Sequence, residues 1–369
     1  MGSSSRFHEI FAAEPLAAAG VPFARFMELA LYHPEAGYYA RRRQRIGREA
    51  QSDFYTATSL GPLFGELVVA AAVKLLAPLD PGDFTFVEIG AEPLDVARDR
   101  PLDVARDRPL DVARDRPLDV ARDGPLVSTT RRPVAGGVLR NVAHPFAGSA
   151  TISLGQPIEL PVRCVVFSNE LFDAQPCHRL VHRRGAWREL GVALRGDALV
   201  EVELPALTSE TAAISAQLPA EAPDGYHLDL PLQAVELLRQ ITAQPWRGLF
   251  LAFDYGKSWL ELSTETPQGT ARAYAQHRQK GDLLAQPGEQ DLTCHVCWDW
   301  LGDTLAGEGF GAARVESQEA FFTHHAAAAL QTAIAAEAAH FSPRKQALLQ
   351  LLHPAQMGQK FQALHALRK

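Results

Sequence analysis

The stretch Phe84-Thr85-Phe86-Val87-Glu88-Ile89-Gly90-Ala91-Glu92 decides how this chain folds. Its apolar, strand-forming run closed by Gly90 reads as a buried β-strand entering a glycine turn, the usual opening of a nucleotide-cofactor site. Directly after it, residues 93–124 carry four back-to-back copies of an eight-residue unit, PLDVARDR, the last ending in Gly124. The insert falls where a backbone cradle for a cofactor is expected. Each complete unit matches two Asp with two Arg and repeats a proline every eight residues, which breaks a helix about every two turns. The period is too short for the common solenoids. Residues 93–135 are therefore expected to form a surface excursion. Such an insert is tolerable because loop-closure entropy grows only logarithmically with length.

Outward from this stretch, short apolar strands alternate with helices. Residues 6–31 read as helical, and residues 59–77 as a strong amphipathic helix. Thr151-Ile-Ser-Leu154, Cys164-Val-Val-Phe167 and Leu249-Phe-Leu-Ala-Phe253 read as further strands, and 231–243 as a helix. Residues 178–204 read as a β-meander with turns at Gly185 and Gly196. From about residue 326 the chain reads as Ala/Leu-rich helix broken at Pro343 and Pro354. This alternation predicts an α/β fold, a mostly parallel sheet with helices on both faces. Ligands of such sheets bind beyond the carboxyl ends of the strands. Polar residues gather at those ends: Glu88 and Gly90, then Ser168, Asn169 and Glu170, then Asp254 and Tyr255. One such strand end is ordinarily a helix cap or turn; three together point to a site.

Composition narrows the function classes. A 47% hydrophobic content over 369 residues supports a substantial core in one large domain or two. The formal net charge of −7, from 36 basic and 43 acidic residues, argues against non-specific nucleic-acid binding, as does the matched charge of the repeats. No apolar run reaches membrane-spanning length, and MGSSSRFHEIFAAEPL lacks the order of a secretion signal. Arg41-Arg-Arg-Gln-Arg45 is a basic run that fits a solvated loop or an anionic contact. The four cysteines fit a reducing compartment better than a disulfide framework. Cys294-His-Val-Cys297 is a lone CxxC inside an apparent helix from Asp291 to Leu305. Cys164 and Cys177 supply no obvious second pair for zinc, so no metal is expected.

Several segments resemble the MidA/NDUFAF7 family of S-adenosylmethionine-dependent methyltransferases. They are Phe26-Met-Glu-Leu-Ala-Leu-Tyr-His-Pro-Glu-Ala-Gly-Tyr-Tyr39, Asp53-Phe-Tyr-Thr56 with Phe64-Gly65, and Val87-Glu-Ile-Gly-Ala91. Ser168-Asn-Glu-Leu-Phe-Asp-Ala-Gln-Pro176 and Asp254-Tyr-Gly256 follow. Then come Gly269-Thr270, Ala273-Tyr274, His277, Pro287-Gly-Glu-Gln-Asp-Leu-Thr293 with His295-Val296, and Met357-Gly358. The resemblance runs in order over nearly the whole chain. It implies a class I, Rossmann-like methyltransferase fold with an inserted substrate-binding region and helices at both ends. Residues 1–80 would be an N-terminal cap and 81–256 the core, interrupted by the repeats and the meander. Residues 257–369 would complete the core. Mitochondrial members methylate an arginine on a core subunit of respiratory complex I. The resemblance thus implies a protein substrate and S-adenosylmethionine as cofactor, in the cytoplasm of a bacterium or the mitochondrion of a eukaryote.

On the same basis Thr56, Phe64, Glu88, Gly90, Ala91 and Ser168 are expected at the cofactor, and Asn169, Glu170 and Asp173 at the transferred methyl group. A carboxylate such as Glu170 suits an always-protonated guanidinium, which it can hold bidentately. Asp254 or His277 is expected to accept the proton. Asp291 and Thr293 fit a helix cap or a substrate contact.

Two departures from the family pattern affect the cofactor side. The family loop reads E-x-G-x-G-x-G, whereas here Glu92 stands at a glycine position and the repeats follow. Gly136-Gly-Val-Leu139 is a candidate for the displaced loop end and the start of its helix. No acid ends Thr151-Ile-Ser-Leu-Gly155, where the ribose-binding residue is expected; Gln156 and Glu159 are the nearest substitutes. Cofactor affinity is expected to be weakened without being abolished. Two further readings stay open at this point: a catalytically lapsed relative acting as an assembly factor, and a nicotinamide oxidoreductase.

Overall fold

The computed structural model describes residues 3–40, 57–90, 137–153, 155–275, 278–339 and 342–369. The repeats, the basic run, Thr56, Ala91, Glu92, Gly136 and His277 lie outside the described residues.

The first nine strands are β1 (Val21–Pro22), β2 (Thr85–Ile89), β3 (Gly148–Ile152), β4 (Arg163–Asn169), β5 (His178–Arg183), β6 (Ala186–Arg195), β7 (Ala198–Glu203), β8 (His227–Leu230) and β9 (Arg247–Asp254). They are followed by β10 (Gly256–Lys257), β11 (Arg272–Ala275), β12 (Arg278–Lys280), β13 (Asp291–Thr293), β14 (Val296–Cys297), β15 (Arg314–Ser317) and β16 (Gln362–Arg368).

The central sheet has the order β15-β16-β9-β4-β2-β3. Strands β3, β2, β4 and β9 are parallel, while β16 runs antiparallel to β9 and to β15. This is the mostly parallel α/β sheet that the resemblance implies. Its central strands read as continuous apolar runs because both faces are covered: every residue of β9 after Arg247 is buried. Alternate side chains serve opposite layers. Phe86, Phe167, Leu251 and Phe253 pack with Phe64, Leu67 and Phe322 on one face. Val87, Val166, Phe250 and Ala252 pack with Leu238 and Leu301 on the other.

The chain leaves β2 toward β3 on one side and returns to β4 on the other. The gap at the carboxyl ends of β2 and β4 is therefore the topological switch point, where such sheets bind ligands. A second sheet, β1-β6-β5-β8 with β7 on β6, forms the meander, with its glycine turns at Gly185 (φ 73°) and Gly196 (φ 59°). The helix Phe23–Tyr32 packs against it, joined by Phe7 and Phe11 of the helix Ser3–Ala12. Asp229 of β8 ties this sheet to the Gly269-Thr270 motif. Its carboxylate accepts the amides of Thr270 (2.5 Å) and Ala271 (2.8 Å) and pairs with Arg179 at 2.9 Å.

Three local expectations differ from the structure. Residues 6–31 are not one helix: Ser3–Ala12 stops, and the helix resumes at Phe23 after β1 pairs with β6. Pro22 is held in extended backbone, and Gly20 sits at φ 137° against Val202 and Leu204, so the chain turns where helical periodicity continued. Cys294 precedes β14 and Cys297 ends it, so neither lies in the helix, which spans only Trp298–Gly307. All four cysteines are free and buried. At the C-terminus, helices Ala327–Glu337 and Pro343–Leu352 are followed by β16, whose sequence QALHALR has no strand-like alternation. Its pairing along the whole of β9 from Gly248 to Asp254 overrides its helical propensity. Among the described residues, no helix is long and apolar enough to cross a membrane.

Candidate active site

The carboxyl end of β4 makes an abrupt turn. Glu170 adopts a left-handed backbone (φ 53°), a conformation that a non-glycine residue holds only when its surroundings enforce it. Its amide donates to the Phe253 carbonyl of β9 at 2.9 Å, and the Asn169 amide group donates to its Oε1 at 2.9 Å. The turn is completed by Asp254 at the end of β9. Asp254 is fully buried; its Oδ2 accepts the amides of Phe172 (2.9 Å) and Asp173 (3.3 Å), and its Oδ1 that of Tyr255 (2.8 Å).

This geometry corrects the role expected for Asp254. A carboxylate saturated by backbone amides and sealed from solvent positions the Asn169–Asp173 turn; it is not placed to collect a substrate proton. Asp173 is also buried (3% exposed), and its Oδ1 has no hydrogen-bond partner. The same holds for Asn169 Oδ1 and Ser168 Oγ at the end of β4. Unsatisfied buried acceptors are costly, and they mark where a donor is missing.

The 291–297 segment brings a fourth carboxylate. The Cys294 amide donates to the Asp173 carbonyl at 2.8 Å, which sets β13 beside the turn. Asp291 on β13 accepts the Tyr39 hydroxyl at 2.9 Å. It does not cap a helix, because the residue lies in a strand. Tyr39 stacks on Tyr32 with ring centroids 5.4 Å apart, and the Tyr32 hydroxyl donates to the Ala174 carbonyl at 2.8 Å. The Tyr32-to-Tyr39 turn is thereby fixed across the acidic turn.

Burial pushes the Glu170 carboxyl up to about 8, the Asn169 hydrogen bond opposing it and the charges of Asp254 and Asp291 adding to it. Burial likewise raises Asp254 to about 7 against its backbone hydrogen bonds. Asp173 is pushed well above the carboxylate range by burial and then by Asp254, Glu170 and Asp291. Burial also raises Tyr255, with Glu170 as the next cause. Carboxyls and tyrosines crowded in this way repel one another until a cation arrives.

Beside this turn, a cavity of about 600 Å³ opens at the carboxyl ends of β2 and β3. Its size falls within the roughly 300–1,000 Å³ usual for cofactor pockets. Ile89, Ile152, Leu171 and Leu237 give it apolar walls, and Tyr32, Gln156, Gln175, Gln240 and Gln244 its polar groups. Gly90 follows Ile89 with φ 85°; a Cβ there would lie 2.8 Å from Leu171 Cδ1. Gly90 and the Glu170 turn thus meet through Leu171, the side chain between acidic turn and cavity. Gln156 lines the cavity while Glu159 is exposed. An amide therefore stands where a ribose-binding acid was expected. The cavity's form and the glycine approach fit an adenosyl cofactor.

Two expected cofactor residues are placed elsewhere. Phe64 is fully buried in a cluster of rings, 5.3 Å from Phe253 and 5.9 Å from Phe322. It belongs to the core because its helix, Pro62–Leu76, lies flat on the sheet. Glu88 does not line the cavity: its Oε2 accepts the Val138 amide at 2.7 Å, and burial raises its carboxyl to about 7. Gly137–Leu139 is a single 3₁₀ turn and not the start of a helix, and its Val138 amide is occupied by Glu88.

Residues 152–314 match the family model of S-adenosyl-L-methionine-dependent methyltransferases. The chain is 26% identical to the mitochondrial "Protein arginine methyltransferase NDUFAF7 homolog" of Drosophila melanogaster, over 95% of this chain and 82% of that protein. It is 24% identical to the Danio rerio NDUFAF7 protein, over 79% of this chain and 69% of that one. A Burkholderia thailandensis protein crystallised with S-adenosylhomocysteine superposes with a TM-score of 0.77 at 26% identity, covering 99% of this chain and 92% of that one. These matches make the chain similar, over most of its length, to the MidA/NDUFAF7 S-adenosylmethionine-dependent methyltransferases, and they support methyl transfer from that cofactor as its activity.

In this methyltransferase Tyr32, Tyr39 and Gln175 belong to quoted motifs but had no role assigned from the sequence. Gln175 donates to the Leu171 carbonyl at 2.8 Å and lines the cavity. The tyrosines stand seven residues apart around a His-Pro turn. That spacing allows them to stack only once the helix has stopped, so the sequence signal was the turn itself. His295 is a further case: it is largely buried, its Nδ1 lacks a partner, and burial lowers it to about 4.

Proposed function

We propose that this enzyme methylates arginine side chains of a protein substrate, as the names of its relatives state for them. The observation that carries the reading is the convergence of Glu170, Asp173 and Asp291 with Tyr32 and Tyr39 beside the cofactor cavity. Carboxylates are acceptors only, and a guanidinium is donors only. An arginine entering this cleft supplies the cation and hydrogen-bond donors that Asp173 and Asn169 lack, and the tyrosine rings flank its planar group.

S-adenosylmethionine, when bound, supplies a methyl carbon whose bond to sulfur breaks as the bond to the acceptor nitrogen forms. Glu170 and Asp173 hold the guanidinium, turn one nitrogen toward the cavity and take up the proton that this nitrogen loses. A guanidinium beside Glu170 favours its ionised form against the burial that raises the free carboxyl, and the resulting carboxylate is the acceptor for that proton. Asp254 keeps the turn rigid, so that alignment, the main requirement of a displacement reaction, is built before substrate arrives. Gln156 replaces a ribose-binding acid by an uncharged hydrogen-bonding group. We further propose Gly90 and Ser168 on the cofactor side.

Within the same reading, the substrate is a core subunit of respiratory complex I, with the enzyme in the cytoplasm of a bacterium or the mitochondrion of a eukaryote. Mass spectrometry of complex I subunits from cells with and without the gene tests this. Loss of a methylarginine, restored by the parent gene and not by Glu170→Gln, supports it. An unchanged arginine pattern contradicts it.

A further inference from the structure

Imidazoles gather around Glu316 at the opposite edge of the central sheet from β3. Glu316 lies on β15 and His365 on β16, and the register pairs Glu316 with Ala363 and Arg314 with His365. The two side chains are thus diagonal neighbours on one face. The helix Gln318–His325 leaves β15 directly, with His325 as its last residue. Nε2 of His325 lies 2.7 Å, and Nε2 of His365 3.3 Å, from the same Oε2 of Glu316. The three atoms all fall within 4.8 Å of one another. Ring packing holds the imidazoles, with His325 5.0 Å from His365 and Phe321 5.5 Å from His365.

We propose that Glu316, His325 and His365 form a zinc site that clamps the antiparallel β15–β16 pair to the helix Gln318–His325. Tetrahedral zinc with bonds of about 2.0–2.1 Å sets its ligand atoms roughly 3.3–3.4 Å apart. The His365 contact has that length already, and the His325 contact needs to open by only about half an ångström. Two imidazole nitrogens and one carboxylate oxygen form a donor set suited to zinc and poor for magnesium or calcium. A plain ion pair does not require two imidazoles to converge on one oxygen, one of them on a residue only 6% exposed. The donors come from two paired strands and a helix end, elements that hold a site more precisely than loops do. The fourth position goes to water or to His324, whose Nδ1 lies 2.5 Å from the other Glu316 oxygen.

The test uses the untagged full-length chain, stripped with a chelator and titrated with zinc chloride against a chromophoric chelator. The parent should take up about one equivalent and unfold at a higher temperature with zinc. Glu316→Gln and His325→Asn should each weaken that binding about ten-fold or more and remove the thermal shift. Both residues are partly exposed, so they carry the comparison if His365→Asn fails to fold. No zinc uptake by the parent, or uptake that Glu316→Gln and His325→Asn leave unchanged, overturns the proposal.

Discussion

A Cβ placed on Gly137 would sit 1.9 Å from Oε2 of Glu88, the same oxygen that accepts the Val138 amide at 2.7 Å. The two residues are neighbours only in space: Glu88 is on the first parallel strand, and Gly137 opens the described chain before the second. Their contact anchors the far end of the β2-to-β3 connection against the sheet. Gly137 is also left-handed (φ 67°), so a side chain there is both crowded and strained. Gly137→Ala should cost roughly 2–4 kcal/mol of stability, read as a lowered denaturation midpoint. Glu88→Gln should cost less, because an amide oxygen still accepts the Val138 amide. Equal losses would show that the contact is not what Gly137 is needed for.

Stability should fall with pH across the range where the acidic turn ionises. Burial moves Glu170 from 4.5 to about 8 and Asp254 from 3.8 to about 7. Both folded values are raised, so above pH 4.5 the folded protein retains protons that the unfolded chain has released. Stability therefore declines as pH rises toward 8 and levels off above it. Glu170→Gln removes part of this cost. It should stabilise the free enzyme on the order of 1–3 kcal/mol at pH 9 and leave it nearly unchanged at pH 4. Thermal unfolding at pH 4, 7 and 9 checks this; a variant less stable than the parent at pH 9 contradicts it.

The same titration predicts how acceptor binding responds to pH. Protonated Glu170 cannot hold a guanidinium, so KM for an arginine acceptor should fall as pH rises from 6 to 8.5. S-adenosylmethionine binding should change little over that range. Steady-state kinetics with each substrate varied in turn separates the two.

Tyr39→Phe removes the hydroxyl that donates to Asp291 at 2.9 Å and keeps the ring stacked on Tyr32. A lost hydrogen bond to a charged group amounts to about 1.5–3 kcal/mol. We expect KM for the protein acceptor to rise about ten-fold and cofactor affinity to stay within about two-fold. An equal loss of both would place Tyr39 at the cofactor instead.

Much of this arrangement was legible in the sequence. The parallel strands announced themselves as short apolar runs, because strands covered on both faces need no polar positions. The acidic turn announced itself as three strand ends finishing in polar residues. What stayed hidden depended on contacts between distant segments. Asp254 looked like the proton acceptor until its partners, the amides of Phe172, Asp173 and Tyr255, were seen. Phe64 matched a motif, but only the packing of its helix on Phe253 shows its ring to be interior. β16 reads as helix until β9 is placed beside it. Glu316, His325 and His365 are spread over some fifty residues and two element types, a spacing that matches no short metal motif.

Gly90 tests the cofactor side. Gly90→Ala would force Leu171 to move and strain a left-handed residue at φ 85°. S-adenosylhomocysteine affinity, measured by calorimetry, should fall about ten-fold or more, with the Glu170 turn disturbed as well. Unchanged affinity would place the cofactor away from the switch point.

The most direct measurement compares methyl transfer from labelled S-adenosylmethionine to an arginine peptide and to a matched lysine peptide, with cofactor binding followed in parallel. The account predicts methylarginine from the parent enzyme and little from the lysine peptide. Glu170→Gln should lose turnover by about a hundred-fold or more while still binding cofactor. Methylation of both peptides alike, or a Glu170→Gln enzyme as active as the parent, would contradict the claim that these carboxylates hold a guanidinium for methylation.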